Sequence, residues 1–142
     1  MSTQPIHLTG AEFITPLTKG LAEPSGQKSL GETAELIRRA QLYVGPDTAV
    51  THIAAATGTP TIALFGPSNP VKWGPWPSDW TSHQSPWSRR GGGRQGNVIL
   101  LQGEGDCVPC LLEGCKRNVS SYSDCLLKLD AGKVIQAAES LL

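Results

Sequence analysis

Apolar positions along the chain fall into short blocks with two different periods. Leu42, Tyr43 and Val44 form a compact run that predicts a buried strand over 42–45, which Pro46 stops. Asp47 then stands where a helix N-cap belongs, its carboxylate able to accept from the first unpaired amides. Ala49, Val50, Ile53, Ala54 and Ala56 recur at helical spacing and predict a helix over 48–57, with Gly58 as its C-terminal cap and Pro60 preventing continuation. Thr61–Phe65 reads as a second buried strand, closed by Gly66-Pro67. Strand, helix and strand in such quick succession form a right-handed parallel crossover, whose loops lie at the carboxyl ends of the strands. Upstream, Ser29 and Glu32 make a capping box that opens a helix through about Ala40, with Leu30, Ala34, Leu36 and Ile37 as its apolar positions. A strand at 6–9, a weak helix at 11–21 and a polar turn at 22–28 precede it. Val98–Leu101 restores a strand, and Asp130 caps a last helix carrying Val134, Ile135, Ala138, Leu141 and Leu142. The fold class is α/β: a Rossmann-like parallel sheet with flanking helices.

The pattern breaks down in two places. Residues 66–97 hold all four tryptophans and the run Arg89-Arg90-Gly91-Gly92-Gly93-Arg94, with no periodicity. So long a connection is either functional or disordered. Its tryptophans suit either sugar stacking or the anchoring of a loop. Residues 103–125 form a second irregular stretch, bearing cysteines at 107, 110, 115 and 125. Four soft ligands opening with C-x2-C fit a tetrahedral structural zinc site (Cys107, Cys110, Cys115, Cys125), and an iron–sulfur cluster also takes four thiolates. Reduced thiols are equally compatible with the spacing, and disulfides belong to an oxidising compartment.

Composition narrows the classes. At 142 residues the chain has the size of one ordinary domain. Lys plus Arg and Asp plus Glu number 12 each, so no broad basic field exists to hold nucleic acid. The start Met-Ser-Thr-Gln-Pro shows no secretory pattern, and no apolar run approaches the ~20 residues needed to span a bilayer. A cytoplasmic protein is expected, in which the Asn118-Val119-Ser120 sequon carries no meaning.

The helix beginning near Thr48 is where anion chemistry concentrates. The amides of Thr48, Ala49 and Val50 and the positive end of the helix dipole face the crevice where α/β proteins bind nucleotides, and Thr48 adds a hydroxyl. A diphosphate leaving group gathers charge that such fixed dipoles stabilise. His52 lies one turn on and shares that face. An ordinary capped helix with a packing histidine is the competing reading.

These residues also carry a family likeness. Asp47-Thr48-Ala49-Val50-Thr51-His52, then Gly58-Thr59-Pro60, then Phe65-Gly66-Pro67-Ser68-Asn69-Pro70 resemble the donor-site signature of glycosyltransferase family 9, which contains the lipopolysaccharide heptosyltransferases. The likeness extends to Lys28-Ser29-Leu30-Gly31-Glu32, to the Cys107–Cys110 region and to the last helix, covering roughly residues 5–142. Ala49 departs from it, standing where many members have glycine, and its methyl narrows the approach of backbone to phosphate. The resemblance implies that residues 1–142 are the nucleotide-sugar-binding C-terminal half of an enzyme built from two Rossmann-like domains. It implies an ADP-heptose-like donor and inverting transfer that needs no cofactor. Asp47, Thr48, Ala49, Val50 and His52 would bind the donor, with Glu12 on the ribose hydroxyls and Lys28 at the base pocket. The acceptor, a lipid-linked saccharide, would be activated by a base in the other domain, so no catalytic residue is assigned and the chain alone is expected not to transfer sugar. That acceptor leaves room for peripheral membrane association of the full enzyme. Two other classes compete: a non-catalytic nucleotide-binding or interaction module, and a small four-cysteine metal-binding protein with an α/β scaffold.

Overall fold

A computed structural model describes residues 28–142, apart from 113 and 119. The elements foreseen before residue 28, and Glu12 with them, lie outside the described residues. From there the chain runs through α1 (Leu30–Arg38), β1 (Tyr43–Pro46), α2 (Ala49–Ala56), β2 (Thr61–Phe65), α3 (Pro70–Trp73), β3 (Gly93–Gln95), β4 (Val98–Gln102), α4 (Asp124–Leu127) and α5 (Ala131–Leu141). The four strands form one sheet in the order β1-β2-β4-β3. β1 pairs with β2 and β2 with β4 in parallel, while β3 runs antiparallel to β4. The expected α/β fold is therefore present, with an antiparallel strand added at one edge.

That strand comes from the glycine-rich run, which carries no alternation. It closes on β4 through the two-residue loop Gly96-Asn97, with Gln95 opposite Val98. Gly96 has φ +54°, as tight hairpin turns require.

Both faces of the sheet are covered, which explains why its strands read as continuous apolar runs. Ala63, Phe65, Val98 and Leu100 point to one face and pack with Ala55 of α2 and with Trp87. Ile62 and Ile99 point to the other and meet Leu42, Ala137 and the half-buried Val134, Ala138 and Leu141 of α5. Ile37, Tyr43 and Ala54 join α1, β1 and α2, with Val50 and Ile53 against them. Leu30, Ile135 and Leu142, which fit the apolar helical spacing, are exposed at the ends or outer faces of their helices.

The long segment 66–97 is tied down at several points. Trp87 is buried and its indole N–H donates to the Pro75 carbonyl at 2.8 Å. Asn97 donates to the carbonyls of Ala55 (3.0 Å) and Thr59 (2.9 Å) and accepts from the Ser78 amide (3.1 Å). Its own carbonyl receives the Thr61 amide at 2.8 Å. One asparagine thus fastens the hairpin to the end of α2, and one tryptophan fills the sheet face that α2 leaves open. Anchoring is the role the structure gives to Trp87.

Candidate functional site

The turn from β1 into α2 is built by hydroxyls. Thr51 Oγ1 donates to the Pro46 carbonyl at 2.6 Å, which commits its proton and leaves it to accept from Tyr43 Oη at 2.9 Å. Burial pushes the Tyr43 phenol above its ordinary pKa, opposed by its bonds to Thr51 and Thr48, so the ring keeps the proton it donates. Gly45 makes this possible: a methyl there would lie 2.2 Å from Tyr43 Oη. The sequence Tyr43-Val44-Gly45-Pro46 is thereby locked to the first turn of α2.

The helix starts one residue later than the sequence suggests. Pro46 still pairs with Leu64 in β1, so the chain leaves the sheet only after it. Thr48, extended at φ −142° and ψ 162°, takes the N-cap position in place of Asp47. No side chain caps the helix, because the Thr48 hydroxyl turns to Thr51 Oγ1 at 3.4 Å. The Thr48 carbonyl accepts the amides of Thr51 (3.1 Å) and His52 (3.4 Å), so Ala49 and Val50 supply the leading amides of the helix. At its other end Thr57 is the cap and Gly58 follows with φ +82°, the left-handed conformation that suits glycine.

In front of this helix start lies a cavity of about 710 Å³, lined by Asp47, Thr48, Ala49 and His52 on one side and by Pro67, Ser68, Trp73, Leu111, Leu112 and Ser123 on the other. Four residues foreseen as donor contacts thus meet in one pocket with part of the 65–70 loop. Val50 does not line it: its side chain packs toward Ile37 and Tyr43, which leaves its amide as the group near the helix start. Lys28 does not line it either, lying half-buried ahead of α1.

Leu111, Leu112 and Ser123 were not foreseen. They belong to the cysteine-bearing stretch, which leaves the carboxyl end of β4 directly beside the end of β2. The legible signal was topological: loops after neighbouring parallel strands share a crevice. The Leu111 amide donates to the Pro67 carbonyl at 2.9 Å, stitching the two loops together.

The four cysteines carry free thiols, Cys107 and Cys115 exposed, Cys110 half-buried and Cys125 buried. Among the described residues no group of three or more His, Cys, Asp or Glu side chains could hold a metal ion. Cys115 Sγ accepts the Asp124 amide at 3.3 Å, and the Cys125 thiol is lodged against Gly66. Burial pushes the Cys125 thiol upward, and the neighbouring Cys110 and Cys115 add to the shift.

Comparison with known proteins places this geometry among relatives. The model of glycosyltransferase family 9 (heptosyltransferase) matches residues 9–88, more than half of the chain. Lipopolysaccharide heptosyltransferase 3 of Escherichia coli is 45% identical over 62 residues, covering 44% of this chain and 17% of that protein. Lipopolysaccharide heptosyltransferase 1 of Pseudomonas aeruginosa is 32% identical over 87 residues, 61% of this chain and 19% of that protein. The crystal structure of the glycosyl transferase family 9 from Veillonella parvula superposes on 92% of this chain with a TM-score of 0.52 and 25% identity, using 33% of its own length. The chain thus spans less than a fifth of the curated relatives' length and a third of the solved structure.

Proposed function

We propose, for a chain that belongs to glycosyltransferase family 9, a role as the donor-binding part of a lipopolysaccharide glycosyltransferase. The donor is a nucleotide sugar of the ADP-heptose type, and the acceptor is a lipid-linked saccharide. The observation that carries this reading is the α2 start: a helix of eight residues, whose N-cap side chain makes no capping bond, opening into a pocket large enough for a diphosphate and a sugar.

The chemistry follows from that arrangement. The amides of Ala49 and Val50 and the helix dipole receive the diphosphate. As the bond from the anomeric carbon to the phosphate oxygen breaks, negative charge grows on the diphosphate, and dipoles already held in place stabilise it without reorganising. The Tyr43–Thr51–Pro46 bonds keep those dipoles fixed. Thr48 offers a hydroxyl to a phosphate oxygen, and His52, exposed on the same face, can donate to the diphosphate or to a sugar hydroxyl. Asp47, beside the amides, disfavours a loosely held anion and suits a sugar hydroxyl as donor to its carboxylate. Among the described residues no helix is long and apolar enough to cross a membrane.

Calorimetric titration of the chain with ADP, UDP, GDP and adenosine tests the reading. A nucleoside diphosphate should bind while adenosine binds much more weakly. Equal binding of ADP and adenosine would mean that the diphosphate is not the recognised group.

A further inference from the structure

The four tryptophans of the 66–97 segment have different surroundings. Trp87 is buried and bonded to Pro75, and the Trp80 indole N–H donates to the Gln84 carbonyl at 2.9 Å. Trp76 is exposed but does not line the pocket in front of α2. Trp73 does line it, with 47% of its surface exposed and, among the described residues, no hydrogen-bond partner for its indole N–H.

The backbone that carries Trp73 is firmly placed. The Asn69 side chain accepts the Val71 amide at 3.1 Å, and the Trp73 amide donates to the Asn69 carbonyl at 3.0 Å. The Gly74 amide then donates to the Pro70 carbonyl at 2.8 Å, and Gly74 and Pro75 are buried against Trp87. Lys72 Nζ sits 4.8 Å from the Trp73 ring centroid, a cation–π contact on one face of the indole. A large aromatic on a well-placed backbone, lining a concave pocket with 47% of its surface exposed, is poised for a ligand on the face that Lys72 does not occupy.

Its neighbours indicate the ligand's chemistry. Leu111, 60% exposed and at φ +64°, lines the pocket with Leu112, held in a backbone conformation that non-glycine residues rarely adopt. The same pocket is lined by Ser68, Ser123, His52 and Asp47. A pocket that combines an aromatic side chain with hydroxyls, an imidazole and a carboxylate matches a polyol ring, which has apolar C–H faces and hydroxyls around its edge. A nucleobase would call instead for a slot between two flat apolar faces.

We infer that Trp73 is a specificity-determining residue that stacks on the transferred sugar of the donor. The inference rests on the donor reading above. The sugar's C–H face lies on the indole, its hydroxyls reach Ser68, Ser123 and Asp47, and the diphosphate joined to it occupies the start of α2.

The test is calorimetry of the parent chain, Trp73→Phe and Trp73→Ala with ADP and with ADP-heptose, each variant checked by far-ultraviolet circular dichroism. The parent should bind ADP-heptose more tightly than ADP. Trp73→Ala should lose about three- to tenfold in affinity for ADP-heptose and leave ADP within about twofold, and Trp73→Phe should keep most of the increment. If Trp73→Ala weakens ADP and ADP-heptose equally, the ring reads the nucleotide or only supports the loop, and the inference is overturned while the donor reading stands. An unchanged sugar increment in Trp73→Ala overturns it in the same way. A parent chain that binds neither compound overturns the donor reading and this inference with it.

Discussion

Two of the loops that line the candidate pocket are built by opposite means. The β1–α2 turn is short and hydroxyl-bonded, lies between regular elements and supplies amides, Thr48 and His52. The cysteine-bearing loop after β4 is long and irregular, includes non-glycine residues Leu111 and Arg117 at positive φ, and supplies an apolar corner. On the proposed reading, a charged diphosphate needs donors fixed before it arrives, which suits a polar wall on a helix start pinned to the sheet. An apolar contact depends on shape more than on direction, so a loop can supply it.

That contrast predicts unequal responses to substitution. The largest effect belongs to Gly45→Ala, because the added methyl would meet Tyr43 Oη at 2.2 Å, and a rigid ring cannot step aside. Overpacking of this kind costs about 1–3 kcal/mol, and Tm should fall by roughly 4–12 °C in a thermal melt. Retention of the parent Tm would show that the turn is looser than its hydrogen bonds imply.

Tyr43→Phe is the gentler probe of the same turn. It removes one buried hydroxyl and leaves the Thr51–Pro46 bond in place. A loss of about 1 kcal/mol in denaturant unfolding is expected.

The cysteine-bearing loop should respond the other way. Leu111→Gly relieves a left-handed residue that buries little surface, so stability should hold or rise by up to about 1 kcal/mol. Clear destabilisation would mean that Leu111 anchors the loop and does not merely present itself to the pocket.

The smallest effects concern the thiols. At pH 8 a soluble alkylating reagent should modify exposed Cys107 and Cys115 well before buried Cys125. Because the folded state raises the Cys125 pKa, folding favours the protonated thiol. Its contribution is complete below the unfolded thiol value of about 8.5 and declines as pH rises through the higher folded value. Urea melts between pH 7 and 10 should therefore show stability falling at the alkaline end, with Tyr43 adding to the loss at higher pH.

Legibility in the sequence follows the same division. β1, α2, β2, β4, α1 and α5 could be read because apolar period, caps and glycine or proline stops agree on each of them. The α2 start was one residue off because Pro46, read as a strand stop, still pairs with Leu64. The β3 strand was missed because Gly93-Arg94-Gln95 has no apolar alternation; its only sign was the Gly96-Asn97 hairpin turn. Leu30 and Ile135 fit helical spacing yet face solvent, since spacing alone does not say which neighbours a helix finds. Of the pocket, Asp47, Thr48, Ala49 and His52 were legible as lining residues, because a strand-to-helix turn has a local signature. Leu111, Leu112 and Ser123 were not, because they meet the pocket only through the β2–β4 pairing.

The seat of the diphosphate on α2 is tested most directly by Ala49→Pro. Ala49 is the first helical residue, where proline is well tolerated, and Thr48 already has the extended backbone that a following proline requires. Proline at Thr48 itself would strain its φ of −142°. The substitution removes one amide donor and leaves the fold intact. A charge-assisted hydrogen bond is worth about 1.5–3 kcal/mol, so ADP affinity measured by calorimetry should drop roughly ten- to a hundredfold. Ala49→Gly, which keeps the amide and removes the methyl, should match or exceed the parent. Unchanged ADP affinity in Ala49→Pro, with a parent-like circular dichroism spectrum, would contradict the assignment and move the diphosphate away from the start of α2.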